Sequence, residues 1–353
     1  MQRGAIGNIL EYGYEAVWKG IVANSIREKV GDNLLPTACQ TASCPYAHLT
    51  SEERLWHIVD VSNPHPFPTE IELDLPDSHC NVGGLSPNKK NPACLMCERH
   101  LYGTVQKDRV NEICAVIKPY IQYIDKFHIQ GIAETFWKDK IFEVFDLLDM
   151  RSHKDRVFVS TTTNATILDQ KRRVAFLEYP FSSLTFSLDA ATASTFKLIR
   201  RWDMFEKVKE NVKNYCQEKT PSQVAGIHNN LNLLNINEAE DMVVLAKELG
   251  VDFVDFNPTY GIPEICVNEQ NVHLFAEAQS KIKEKAAEIE MKVSFMRDLT
   301  LGLNVPSEPK LIQITVDQVV DLAEKLWVDS EDLMAITDKN PDMVKVIGFK
   351  PFL

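Results

Sequence analysis

The chain of 353 residues carries 38 lysines and arginines against 50 aspartates and glutamates, a net charge of −12, and is 44% hydrophobic. That balance is enough for a sizeable core, and it argues against nucleic acid or an anionic membrane as the bulk partner. No apolar run reaches the length of a membrane span, and MQRGAIGNILEYGYEAVW at the start lacks a signal-peptide core and cleavage site, so a soluble, cytoplasmic protein is expected.

Residues 1–36 read as a helical lead-in, with Ile9, Tyr12, Val17, Ile21, Ile26 and Val30 near helical spacing. An irregular stretch follows. It holds Cys39 and Cys44, a candidate N-cap at Thr50 or Ser51 for a short helix ending near Val59, and a Pro/His-rich linker. Residues 1–67 are therefore expected to be an accessory segment.

From residue 70 the pattern alternates. Strands are predicted near 70–75, 127–130, 156–160, 183–188, 223–231 and 252–256, with a further one at 291–295. Helices are predicted near 106–118, 138–150, 167–178, 193–217, 237–249 and 269–289. In AEDMVVLAKELGVDFVDFNP a helix stops at Gly250 and the chain re-enters as a strand. Strand–helix alternation with short connections marks a parallel α/β fold whose active groups stand at the C-terminal ends of the strands. This unit spans 68–295, and 296–353 is expected to be a helical extension without cysteine.

The first strand runs into a loop holding Cys80, Cys94 and Cys97, the only clustered trio among the eight cysteines of the chain. Eight are too few for a disulfide framework at this length, and a cluster in a reducing compartment reads as a metal site. Two chemistries fit. A structural zinc site needs a fourth ligand, for which His79 and His100 are at hand. An iron–sulfur cluster on three cysteines leaves one iron open. The other strand ends carry small or hydrogen-bonding residues: Gly131 and Glu134 in HIQGIAETFW, Thr163 and Asn164 in STTTNAT, and Ser187 and Asp189 in LTFSLDAATASTFKLIR, with Arg200 along the next helix.

In that order these motifs resemble the radical S-adenosylmethionine (radical SAM) enzymes. Their pattern is a cysteine loop, a Gly-x-Gly-Glu-Pro-like turn, a Thr-Asn-Gly-like turn, and Ser-x-Asp followed by Arg. The resemblance covers roughly residues 68–260 and is nearest to the branch that modifies peptides or natural products; GFKPFL at the end is similar to the start of that branch's cysteine-rich extension. It implies a partial (β/α)6 TIM-like barrel in which Cys80, Cys94 and Cys97 hold a [4Fe-4S] cluster. S-Adenosyl-L-methionine would chelate the open iron near Gly131, Glu134, Thr163, Asn164, Ser187, Asp189 and Arg200. It also implies a flavodoxin- or ferredoxin-type electron donor and a peptide or small-molecule substrate that loses a hydrogen atom.

Several positions depart from the family pattern. Thirteen residues separate the first two cysteines where three are common, and NVGGLSPNKKNPA reads as a looped-out excursion. Met96 stands where an aromatic is frequent, Ala133 and Thr135 replace Gly and Pro, and Ala165 replaces Gly. Each site residue also has a plain alternative. Glu134 also fits a carboxylate that serves a helix dipole in place of the cosubstrate, Ser187 and Asp189 also fit caps of the next turn, Arg200 also fits a helix facing an acidic surface, and Asn235 fits an N-cap region. Cys114 and Cys216 read as core packing. Cys266, after the sixth strand, is a packed thiol or a hydrogen donor to a substrate radical, and Tyr260 is a weaker candidate for that role. Two other functions stay open: ring chemistry like that of 7-carboxy-7-deazaguanine synthase, and a non-catalytic iron–sulfur partner protein.

Overall fold

The computed structural model describes residues 7–34, 67–75, 80–81, 94–96, 109–130, 134–259, 264–295, 298–305, 312–315 and 344–347. Seven strands, Glu70–Asp74 (β1), Lys126–Gln130 (β2), Phe158–Thr163 (β3), Ser182–Ser187 (β4), Val224–Leu231 (β5), Phe253–Pro258 (β6) and Lys292–Phe295 (β7), form one sheet in sequential order. Every neighbouring pair is parallel. A parallel neighbour cannot be reached by a tight hairpin, so each step needs a crossover. The α4 (Val110–Ile117), α5 (Lys140–Leu147), α6 (Gln170–Leu177), α7 (Ala193–Arg200), α8 (Phe205–Glu218), α9 (Ala239–Leu249) and α10 (Val272–Glu288) helices supply them, α1–α3 lying in the lead-in. The result is an α/β fold of the partial TIM-barrel type, with β7 at the further strand expected near 291–295, one beyond the six that the (β/α)6 resemblance implies.

The sheet's two faces differ in chemistry. Successive side chains of a strand point to opposite faces. One set, including Phe127, Ile129, Val159, Leu184, Phe186, Ile227, Val254 and Phe256, is fully buried in the main core with helix residues such as Val144, Phe176, Val212, Tyr215, Val243 and Phe275. Each such side chain contributes about 1.5–3 kcal/mol by leaving water. The alternate set, among them Ser160, Thr162, Thr185, Ser187, His228, Asn230 and Asn257, is half-buried and polar. We call this the inner face.

Helix boundaries follow local chemistry. Asp169 caps α6 by accepting from Arg172 N. Gly250, at φ 80°, ends α9 in the left-handed region that a residue without Cβ enters cheaply. The single helix predicted over 193–217 is two. Arg201 takes φ 55° and stops α7 at Arg200 before α8 begins at Phe205. That break puts Arg200 at a helix end.

The lead-in forms Ile9–Tyr12 (α1), Tyr14–Trp18 (α2) and Ile21–Gly31 (α3). The Tyr14 ring meets Phe67 and Tyr120, and Phe67 also meets Tyr120 and Tyr123, which joins the lead-in to the turn after α4. In the C-terminal part Ile312–Thr315 (β8) and Val344–Ile347 (β9) pair in parallel as a separate two-stranded sheet. Cys39, Cys44, the short helix expected near 50–59 and the helices expected in the C-terminal part fall on residues outside the described ones. Among the described residues no helix is long and apolar enough to cross a membrane.

Candidate functional site

The cysteine loop is held at the C-terminal end of the sheet by contacts along both of its described stretches. Leu95 N donates to Ile199 O at 2.9 Å, so the second stretch lies on the last turn of α7. Arg200, next in sequence, donates from its guanidinium to Cys94 Sγ at 3.6 Å. At the first stretch Asn164 Nδ2 donates toward Cys80 Sγ at 3.8 Å and to Asn81 Oδ1 at 2.9 Å, and Asn81 Nδ2 donates to Thr166 Oγ1 at 2.7 Å. Met96 Sδ accepts from Thr259 Oγ1 at 3.6 Å and Asn232 Nδ2 at 4.0 Å, which reaches the ends of β6 and β5. One loop thus touches the ends of β3, β5 and β6 and the end of α7.

Arg200 forms an ion pair with Asp189, whose side chain is fully buried. Burial works to lower the affinity of the guanidinium for its proton, but Asp189 and the Cys94 and Cys80 sulfurs outweigh it, so its pKa rises above the ordinary arginine value. Two facing charges out of water remain there only when paired and hydrogen-bonded. Asp189 Oδ1 also accepts from Asn230 N at 2.8 Å, and Asn235 Nδ2 donates to Asp189 O at 2.6 Å. Arg200 Nε has no hydrogen-bond partner among the described residues.

Glu134, after β2, is 2% exposed. It accepts from Thr163 Oγ1, from Asn164 N at 2.8 Å and from Phe136 N at 3.2 Å, and so clasps the β2 end to the turn after β3. Burial raises its carboxyl pKa above the ordinary glutamate value despite those donors and Arg172. In the same turn Ala165 takes φ 59°, the left-handed region that explains why glycine is common at that place in the resembling family. Its N–H donates to Thr163 Oγ1 at 3.0 Å, and its carbonyl accepts from Asn211 Nδ2 at 2.7 Å.

These contacts separate the expected site residues by role. Cys80, Cys94, Asn164 and Arg200 come together, and Ser187 ends β4 on the inner face beside His228. Asp189, Glu134 and Thr163 are buried and engaged within the protein, where they position their neighbours. Asp189 does not cap the following helix. Thr192 caps α7, and Glu238 accepts from Ala191 N at 2.9 Å, from Thr192 N at 3.2 Å and from Thr195 Oγ1 at 2.6 Å. Nor does Arg200 face an acidic surface. Asn235 makes no side-chain cap bond at Ile236–Glu238 and instead accepts from Asn232 N at 2.8 Å. Asn81, Asn230, Asn232, Glu238 and Thr259 were not singled out from the sequence; the run NNLNLLNIN, which begins at the end of β5, was the available signal for Asn230 and Asn232.

Gly131, Ala133, Cys97, Tyr260, His79 and His100 lie outside the described residues. Among the described residues no trio of His, Cys, Asp or Glu gathers as a metal site, the cysteine set having its third member outside them. Burial pushes the Cys114 thiol up to about 11 and Cys216 up to about 12, which suits packed thiols. Cys266 follows β6, and its carbonyl accepts from Asn271 Nδ2 at 2.9 Å.

Residues 90–258 match the family model of the radical SAM superfamily. They form a radical SAM domain. The fold of the chain is similar to that of Streptococcus suis SuiB bound to S-adenosylmethionine, at 11% identity and a TM-score of 0.50 over 78% of this chain and 60% of that one. SuiB bound to its precursor peptide SuiA gives 10% identity and 0.51, over 78% and 62%. Identities this low show the fold alone, and the chain spans about three-fifths of SuiB's length. No curated protein matches the sequence. The radical SAM domain covers the end of the cysteine loop from residue 90, the turns after β2, β3 and β4, and the strands through β6.

Proposed function

We propose that the chain is a radical SAM enzyme in which Cys80, Cys94 and Cys97 hold a [4Fe-4S] cluster and S-adenosylmethionine occupies its open iron. Its target is a C–H bond of a peptide side chain or a small polar metabolite, and a flavodoxin- or ferredoxin-type protein supplies the electron. The observation that carries this reading is the buried Asp189–Arg200 pair laid against Cys94, with the electrostatic influence of Cys80 on the same guanidinium. Soft thiolate donors suit iron–sulfur chemistry. A fixed cation beside them offsets anionic charge where water is scarce, and the unpartnered Arg200 Nε leaves a buried donor at the same place.

When bound, the two groups supply a 5′-deoxyadenosyl radical able to take a hydrogen atom from an unactivated carbon. The protein's own residues hold and shield. Asp189 fixes Arg200, Asn164 and Asn81 fix the first cysteine, and Asn232 and Thr259 seat Met96. Glu134 locks the β2 and β3 turns together, while Ser187 and Asn164 remain partly open toward a ligand.

The test is anaerobic reconstitution of the full chain with iron and sulfide, then chromatography for 5′-deoxyadenosine after dithionite and S-adenosylmethionine are added. The proposal expects a full cluster and cleavage. A full cluster without cleavage would leave an iron–sulfur scaffold, and zinc in place of iron would leave a structural site.

A further inference from the structure

The inner face carries two histidines, and they are held in opposite ways. His128 on β2 has both ring nitrogens engaged, Nδ1 with Ser160 Oγ and Nε2 with Glu70 Oε1 at 2.8 Å. His228 on β5 is held by one nitrogen. Its Nδ1 lies 3.1 Å from the Asp255 Oδ2 acceptor and 3.4 Å from Asn257 Nδ2, and Nε2 has no partner among the described residues.

Asp255 is occupied on both oxygens. Oδ1 accepts from Ser294 Oγ at 2.8 Å, and Oδ2 accepts from Asn257 Nδ2 at 2.9 Å beside the imidazole. A carboxylate fixed this way from β6 and β7 sets a ring's tautomer and orientation, putting the proton on Nδ1 and leaving the Nε2 lone pair outward. The His228 side chain is 28% exposed, on the inner face of the sheet.

The position is as informative as the geometry. His228 is the register partner of Ser187 at the end of β4 and of Asp255 on β6. Asn230, one repeat (about 6.6 Å) farther along β5, donates to Asp189 Oδ1, the partner of Arg200. Below His228 the face closes. Gly226 has no side chain because the Phe253 ring lies across it; a Cβ there would sit 2.2 Å from Phe253 Cζ. A ligand entering from the cysteine end therefore meets Nε2 just above an aromatic floor.

We propose that His228, positioned by Asp255, is a specificity-determining residue that accepts a hydrogen bond from a hydroxyl group of the substrate. The proposal rests on the radical SAM reading above and takes the inner face, beside Ser187 and the Asp189–Arg200 pair, as the place where the substrate lies. An imidazole with its Nδ1 proton committed presents an acceptor, and the group that matches it is a donor such as an alcohol. That alcohol belongs either to a free polyol or to a serine or threonine side chain of a peptide.

The experiment is carbethoxylation of the cluster-loaded protein with diethylpyrocarbonate, quantified at His228 and His128 by peptide mass spectrometry. The probes are D-glucose against tetrahydropyran, and N-acetylserinamide against N-acetylalaninamide. His228 should react faster than His128. A hydroxylated probe should protect it roughly tenfold at about ten times its Kd, while the hydroxyl-free counterpart leaves it reactive. Protection by glucose assigns a polyol, protection by serinamide assigns a peptide hydroxyl, and protection by both keeps the shared chemistry. No protection by either, or equal protection by the counterparts, overturns the proposal.

Asp255→Asn should abolish the discrimination with unchanged circular dichroism. If that variant fails to fold, Ser294→Ala, which removes one bond to Asp255, should weaken it. Undiminished discrimination in the folded variant overturns the role of Asp255. None of these readouts needs S-adenosylmethionine cleavage, so they can fail or succeed independently of the proposed activity.

Discussion

The two faces of one sheet are made from alternate residues of the same strands, yet they do different work. Toward the helices, Phe186, Ile227 and Phe256 are fully buried and apolar; toward the inner face, Ser187, His228 and Asn257 are polar and partly open. Stability should therefore respond to one parity of residue and chemistry to the other. At the C-terminal end the division blurs, because the buried polar groups Asp189 and Glu134 serve both.

The largest stability loss should come from the outer face. Phe256→Ala should lower stability by about 3–5 kcal/mol, read as a shift in the urea midpoint with an unchanged slope. Asp189→Ala leaves the Arg200 guanidinium without its buried partner and should cost about as much, roughly 3–5 kcal/mol. The pair can be separated from the packing around it. The double change Asp189→Leu with Arg200→Leu should recover most of that stability and still fail to cleave S-adenosylmethionine. Recovery of both would show that the pair has no chemical role.

An intermediate effect is expected at Glu238, which accepts from the N–H groups of Ala191 and Thr192 and from the Thr192 and Thr195 hydroxyls at the start of α7. Glu238→Ala should cost about 1–2 kcal/mol in thermal or urea unfolding. Ala165 lies nearer the small end. Ala165→Gly should relieve the left-handed backbone and raise stability by up to about 1 kcal/mol.

The buried Cys114 and half-buried Cys216 thiols give a pH signature. Both Cys114 and Cys216 have folded pKa values above the ordinary 9.0, near 11 and 12. A raised value means the folded state binds the proton more tightly, so stability is fully present below about pH 9 and is lost as pH rises through the folded values. Native-state alkylation with iodoacetamide at pH 8 should leave both thiols unlabelled. Rapid labelling there would contradict their packing.

The fold was legible because the strands alternate cleanly and the helices carry periodic apolar stripes. The motif positions were legible because strand ends in a parallel sheet gather at one edge whatever the side chains do. The break after Arg200 was not, because RWDM contains neither glycine nor proline, and only the folded chain shows Arg201 in the left-handed region. The roles of Asp189 and Glu134 were not legible either. A motif position names a residue near a site, but burial and hydrogen-bond partners decide whether it meets the ligand or holds the residue that does. The His228–Asp255 pair escaped notice for a related reason: the two residues lie far apart in sequence and meet only through the β5–β6 register.

The central claim is that three cysteines at the end of β1 leave one iron for S-adenosylmethionine. Electron paramagnetic resonance of the reconstituted, reduced chain tests it most directly. The account predicts a [4Fe-4S]⁺ signal that changes shape when S-adenosylmethionine is added, and no such cluster in Cys80→Ala, Cys94→Ala or Cys97→Ala. A cluster signal unaltered by S-adenosylmethionine, or one that survives loss of any of the three cysteines, would contradict it.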